Sequence, residues 1–353
     1  MSTRTSRRWS AACLAALIGL AGLVTGTGTA AAAPVPTPAA PVQDFEIAPD
    51  SAFAAAGSPA SALASAQDAL ATPAVSAAAP TVPIRPTGSD PQPRFPIRAA
   101  FYYGWGSTSS HFTATYGTDD PYAAPGAPRR NVTQMRYAGL NAGIASWMGQ
   151  GSFADVRFPY QLRAADGTPF RWSLYYEPAG RSYAQINSDL TYIRGKYGID
   201  KNFLRVGGKP VLFVWAGGSF SCSQAQTWVQ ANQSRFYLVF KVFPGYTGCP
   251  YKPRAWHEYG PVHRIVTVPG NSAAVSPGFW HTNSSSPILA RDPRSWDLAI
   301  KQMVGSRVPW QLVTSYNEWG EGTAVETANQ WRSGTPYGRY LDLLHVNLWR
   351  SGV

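Results

Sequence analysis

Short apolar runs recur along the chain after residue 95, each four to seven residues long and separated by more polar stretches. They predict strands at Arg98–Tyr103, Ala142–Trp147, Arg171–Tyr176, Val211–Trp215, Tyr237–Phe243, Ile265–Val268, Val275–Phe279 and Gln311–Tyr316. Between several of them lie stretches with helical character: Val132–Ala138, Tyr183–Tyr197, Ser223–Gln233 and Ser295–Val304. Strands alternating with helices predict parallel βαβ units. Residues 96–353 match the ~250 residues of a (β/α)8 barrel. Strand count and length together favour an α/β fold of the TIM-barrel type over an open doubly wound sheet. Residues 243–264 are rich in Pro and Gly and yield no clear element, and no internal repeat is visible.

The first 95 residues read differently. Arg4, Arg7 and Arg8 form a charged head, Ala11 to Val24 an apolar core, and Thr25 to Ala33 a small-residue tail. This is the pattern of a cleaved export signal over 1–33, and it predicts a secreted, extracellular protein. An uncleaved anchor is the alternative, although the apolar run is short for the ~20 residues of a span. No stable membrane insertion is expected after cleavage. Residues 34–95 are dominated by Ala, Pro, Ser and Thr. They carry too little large apolar surface to offset their ordering entropy and read as a disordered linker.

Composition adds two constraints. The formal net charge is +11, which suits anionic cell-wall or capsular polymers or serves solubility alone. The basic residues are scattered without a Lys/Arg run, so nucleic acid is not an expected partner. After signal cleavage Cys222 and Cys249 remain. An even pair in an exported protein suggests one disulfide, with two separate thiols as the alternative, since pairing depends on distance.

The most informative stretch is Ser315-Tyr316-Asn317-Glu318-Trp319-Gly320-Glu321-Gly322-Thr323, which follows an apolar run. Residues i and i+3 of a straight strand point to opposite faces. Glu318 and Glu321 can meet only if the chain bends past Asn317, which Gly320 and Gly322 allow. A close carboxylate pair is what splitting a sugar acetal requires: one acid protonates the leaving oxygen, the other acts as base or nucleophile.

Barrel active sites lie at the C-terminal strand ends. Tyr102, Tyr103 and Trp105 fall at the first such end, Trp147 at the second, Glu177 before Pro178 at the third and Trp215 at the fourth. Phe279-Trp280-His281 falls at the seventh. Sugar rings stack their C–H faces on aromatic rings while carboxylates take hydroxyls, so these ends read as a carbohydrate cleft. Glu318 and Glu321 are the catalytic candidates. Tyr102, Trp105, Trp147, Glu177, Trp215, Phe279, Arg291, Asn317 and Trp319 are the candidates for substrate binding. Trp147 and Trp215 could equally be core, Glu177 a structural acid, and Arg291 a structural ion pair. The five histidines form no His-Glu-x-x-His, and neither a Gly-x-Ser-x-Gly elbow nor a phosphate loop occurs. No metal or cofactor is therefore expected. Asn131, Asn232 and Asn283 open Asn-x-Ser/Thr triplets, which matter only in a glycosylating host.

The segment from Ser315 to Glu326 resembles the last strand and loop of glycoside hydrolase family 99, the endo-α-mannosidases and endo-α-mannanases, which read close to Ser-Phe-Asn-Glu-Trp-His-Glu-Gly-Thr-Gln-Ile-Glu there. Phe101-Tyr102-Tyr103-Gly104-Trp105 resembles the family's opening strand. Tyr176-Glu177-Pro178 with Gly180-Arg181 looks like its third-strand end. Val275-Ser276-Pro277-Gly278-Phe279 with Thr282 and Arg291 is similar to its Pro-Gly-Tyr segment. The patches span roughly residues 96 to 350.

The resemblance implies a (β/α)8 barrel that cleaves internally with retention, without metal or cofactor. By the match, Glu318 would deprotonate the sugar 2-hydroxyl to give an anhydro intermediate, and Glu321 would act as acid and then base. Gly320 replaces the family histidine and Phe279 the family tyrosine. Both departures bear on which sugar is bound more than on hydrolysis itself. A polysaccharide or oligosaccharide, an α-mannan among the choices, is the expected substrate. A non-catalytic glycan-binding or cell-wall-associated barrel is the alternative. A metal-dependent deacetylase is a third reading, disfavoured by the scattered histidines.

Overall fold

The computed structural model describes residues 91–105, 108–116, 126–215 and 220–349. The expected export signal (1–33) and most of the expected linker lie outside the described residues. The last linker residues, 91–95, pack on the barrel. Arg171 donates to the carbonyl of Pro91 at 3.0 Å, and the Arg205 amide donates to Gln92 Oε1 at 2.9 Å.

Eight parallel strands form a nearly closed barrel: β1 (Ile97–Tyr102), β2 (Ala142–Trp147), β3 (Arg171–Tyr176), β5 (Lys209–Val214), β6 (Tyr237–Lys241), β7 (Ala255–His257), β9 (Ser272–Val275) and β10 (Trp310–Val313). β4 (Arg205–Val206) adds antiparallel to β5 and β8 (Ile265–Val268) antiparallel to β9. β10 pairs with β1, in register Ile97 with Trp310. The ladder is interrupted between β7 and β9, where the Trp256 amide instead donates to Asn271 Oδ1 at 3.1 Å. Helices α1 (Ala127–Tyr137), α2 (Phe153–Ala164), α3 (Tyr183–Lys196), α4 (Cys222–Asn232), α5 (Pro293–Gly305) and α6 (Arg339–Trp349) follow the strands. Ser152, Ser182, Ser221 and Asp292 accept first-turn amides of α2, α3, α4 and α5. These caps fix where each loop turns into helix.

The barrel expectation holds, with local differences. Ile265–Val268 is a hairpin arm outside the parallel set, because the tight turn after Val268 reverses the chain. The unparsed region contains β7, too short to show periodicity in sequence. The strand expected at Val275–Phe279 runs instead over Ser272–Val275 and stops where Pro277 removes a ladder donor.

Strand alternation splits the core into two layers. The inner layer contains Ile97, Phe101, Tyr103, Tyr175, Phe213, Trp215, Tyr259 and Trp310. The outer layer, between strands and helices, contains Tyr102, Trp147, Trp172, Tyr176, Trp296 and Trp319. Trp310 closes the floor, edge-on to Phe213 at 5.1 Å and to Phe95 at 5.3 Å. Burying such a ring stabilises the fold by about 1.5–3 kcal/mol.

Candidate active site

The loop after β10 carries both catalytic candidates. The Thr314–Ser315 peptide, just past the end of β10, is cis. Ser315 then anchors a compact turn. Its hydroxyl meets the Thr323 hydroxyl at 2.8 Å and accepts the Glu318 amide at 2.8 Å. The Glu326 amide returns to the Tyr316 carbonyl at 2.8 Å. Gly322 sits at φ +66°, where a Cβ would lie 2.5 Å from the Trp280 carbonyl oxygen. A glycine is needed there both for the angle and for the close approach.

Two clamps hold this turn from outside. The Asn317 side chain imitates a strand partner for Tyr103: Oδ1 accepts the Tyr103 amide at 2.8 Å and Nδ2 donates to the Tyr103 carbonyl at 2.7 Å. Arg291 donates through Nη2 to the carbonyls of Gly322, at 2.8 Å, and Ala324. Its guanidinium lies over Trp331 at 4.1 Å and Tyr340 at 4.8 Å.

Within the turn Glu318 and Glu321 are both buried, at 4% and 1% exposure. Glu321 Oε2 accepts from the Tyr259 hydroxyl at 2.8 Å, and Tyr259 in turn accepts from Tyr103 at 3.1 Å. Burial first, then repulsion from Glu318, pushes the Glu321 carboxyl well above the usual range; Tyr259 opposes the shift and Glu177 adds to it. Glu318 Oε1 accepts the Gly320 amide at 3.1 Å. Glu177 arrives from the end of β3. Its carboxyl is raised to about 8, mainly by burial, with repulsion from Glu318 adding to it. The Ser146 hydroxyl lies near enough to oppose that shift but outside hydrogen-bond geometry, and neither Glu177 oxygen has a partner. Three carboxyls therefore share one desolvated site under mutual repulsion.

Strand parity decides where the remaining candidates point. Tyr103, Tyr175, Glu177 and Trp215 take the inward positions. Trp105 packs edge-on against Tyr103 at 5.0 Å. Tyr102 takes the outward position, where its hydroxyl accepts from Asn131 at 3.1 Å. Trp147 also points outward, with its indole N–H on Asp155 at 2.7 Å. Trp319 lies in the outer layer, stacked on Trp331 and donating to Glu326 at 3.1 Å. Phe279 is buried and its backbone pairs with Leu289. The structure thus gathers Glu177, Glu318, Glu321, Trp105 and Trp215 toward the barrel interior. It places Tyr102, Trp147 and Trp319 in the outer layer, and Asn317 and Arg291 as clamps on the turn.

Tyr259, which touches Glu321, was not among the sequence candidates, and Tyr103, which supports it, was read as a strand-end aromatic of the cleft but not named for substrate binding. Tyr103 was legible by alternation from Phe101. Tyr259 follows β7 in the unparsed region and has no local signal. His257, also inward and fully buried, has its pKa lowered to about 3 by desolvation, so it is a neutral part of the floor. Among the described residues no group of three or more His, Cys, Asp or Glu is arranged to hold a metal ion.

No family model matches the chain, and no curated protein matches it. Solved structures do. The family 99 endo-α-mannosidase of Bacteroides thetaiotaomicron, in complex with bis-tris-propane, superimposes with a TM-score of 0.59 at 18% identity, over 72% of this chain and 95% of that one. A second structure of the Bacteroides thetaiotaomicron family 99 endo-α-mannosidase gives 0.59 at 16% identity, over 73% and 99%. A glycoside hydrolase-like protein gives 0.51 at 14% identity, over 80% and 98%. At these identities the likeness establishes a shared barrel fold.

Proposed function

We propose that this chain is a secreted, retaining endo-glycoside hydrolase that cleaves a polysaccharide of the α-mannan class. The observation that carries the reading is the state of Glu321: burial and repulsion from Glu318 hold its carboxyl well above the usual carboxylate range, against the opposing hydrogen bond from Tyr259. A general acid needs that condition. Glu318, at the other end of the turn, takes the proton of the sugar 2-hydroxyl. That oxygen attacks the anomeric carbon from the opposite face while Glu321 protonates the leaving oxygen, giving an anhydro sugar and a shortened chain. Water activated by Glu321 then opens the anhydro ring, and Glu318 returns its proton to the 2-oxygen. Two inversions give net retention. The shared fold of the mannosidase structures and the leader pattern at the N-terminus support the reading. Gly320 and Phe279 stand where the family resemblance has a histidine and a tyrosine, so the sugar is the element to screen.

The test is product release from α-mannans, arabinans and galactans, with the anomer of the first product followed by NMR. Glu321→Gln is expected to lower turnover by about 10²–10⁴-fold with glycan binding preserved. Undiminished turnover on a natural leaving group would remove Glu321 from this role. The changes at Gly320 and Phe279 also motivate a second reading, a non-catalytic glycan-binding barrel. It predicts retention of glycans with no reducing ends released.

A further inference from the structure

At the rim of the barrel, the indole of Trp280 and the imidazole of His111 lie face to face, 4.0 Å between centroids and 16° from parallel. Both residues are half-buried, and Phe112 packs edge-on to both, 6.0 Å from Trp280 and 6.3 Å from His111, so each keeps some exposed surface. A purely structural pair would bury itself in the outer core, as Trp319 and Trp331 do nearby.

The stack is fastened to the turn that carries the acids. The Trp280 amide donates to the Glu321 carbonyl at 2.9 Å, and the Thr282 amide to the Gly320 carbonyl at 2.8 Å. The missing side chain of Gly322 lets the two backbones touch. The indole N–H is spent on the Ser284 carbonyl at 2.9 Å, and His111 Nε2 meets the His281 carbonyl at 3.1 Å. Both ring edges are therefore held, which fixes the planes at little further entropy cost on binding. Ser110, whose hydroxyl bonds to the Thr282 carbonyl at 2.5 Å, brings exposed polar groups beside the rings. A fixed aromatic face rimmed by hydroxyls suits the C–H face of a pyranose.

We propose that Trp280, backed by His111, forms a sugar-stacking subsite that takes a pyranose ring of the polysaccharide away from the scissile bond. The proposal rests on the glycosidase reading for its substrate class and extends it to chain-length preference. The subsite engages only oligosaccharides long enough to reach from the acids to the rim.

The experiment is calorimetric titration of the full chain carrying Glu321→Gln with α-mannan oligosaccharides of two to six sugars. Adding Trp280→Ala should weaken the longest oligosaccharide by about threefold to tenfold, the range of one aromatic stack, and leave the disaccharide within twofold. Trp280→Phe should recover most of the affinity, which keeps the test valid if the alanine variant folds poorly. His111→Ala should give a smaller loss with the same length dependence. Equal affinity of the Trp280→Ala and parent chains for the longest oligosaccharide would overturn the proposal, as would an equal loss for every length. Binding is read independently of turnover. A failure of the catalytic reading, seen as full activity in Glu321→Gln alone, is therefore distinguishable.

Discussion

The hydroxyl of Tyr259 donates to Glu321 Oε2 at 2.8 Å across 62 residues of sequence. It joins the end of β7 to the turn after β10, on either side of the gap in the barrel ladder. The bond favours the ionised form of Glu321 against burial and Glu318. Tyr259→Phe should therefore raise the Glu321 pKa further. The alkaline limb of the kcat/KM profile should move to higher pH, and the rate should fall by about tenfold to hundredfold, the worth of a hydrogen bond to a charged group. A limb that stays in place or moves to lower pH would contradict this arrangement.

Glu177 makes a prediction about stability. Its carboxyl rises from an ordinary 4.5 to about 8 on folding, chiefly through burial. Between those values the folded protein holds a proton that the unfolded chain has released. This contribution is complete below the lower value and is lost as pH rises through the upper one, at most about 1.4 kcal/mol per pH unit. Urea unfolding at pH 5, 6, 7 and 8 should show a weaker fall with pH in Glu177→Gln than in the parent. Parallel curves would show that Glu177 is not desolvated as described.

Gly322 and Gly180 have nearly the same angle, φ +66° and +65°, but different surroundings. A Cβ on Gly322 meets the Trp280 backbone, whereas one on Gly180 meets nothing within 4 Å. Gly322→Ala should cost about 2–4 kcal/mol, combining angle and overlap, and should displace both catalytic candidates. Gly180→Ala should cost about 1 kcal/mol. Thermal unfolding of the two variants checks the difference, and equal losses would mean the turn is looser than this packing implies.

Cys222, at the start of α4, is bonded to Cys249 in the loop after β6, at a sequence separation of 27. The bond constrains the unfolded chain, which on a chain-entropy estimate stabilises the fold by about 3–4 kcal/mol. The double Cys→Ser variant should lose about that amount in chemical unfolding, and reductant should lower the Tm of the parent but not of the variant. An unchanged parent Tm in reductant would argue against the bond.

Much of this protein was legible in one dimension. Parallel strands covered on both faces must be apolar throughout, so Ala142–Trp147 and Arg171–Tyr176 announced themselves as runs with their observed limits. The Asn-Glu-Trp-Gly-Glu-Gly segment announced a bend bearing two acids, because only a turned chain brings such a spacing together. Which way each aromatic pointed was less legible. Runs that are apolar on both faces hide their own parity, so Tyr102 and Tyr103, or Trp147 and Ser146, look alike until one inward residue is known.

Sequence alone determined the barrel class and the acidic turn, since both follow from local periodicity, glycine placement and chain length. Only the tertiary structure decided that Asn317 and Arg291 grip the turn, that Tyr259 reaches Glu321, and that Glu177 joins the same desolvated site. Those contacts link residues far apart in the chain. Their energies come from burial and charge proximity, which exist only once the barrel has brought the strand ends together.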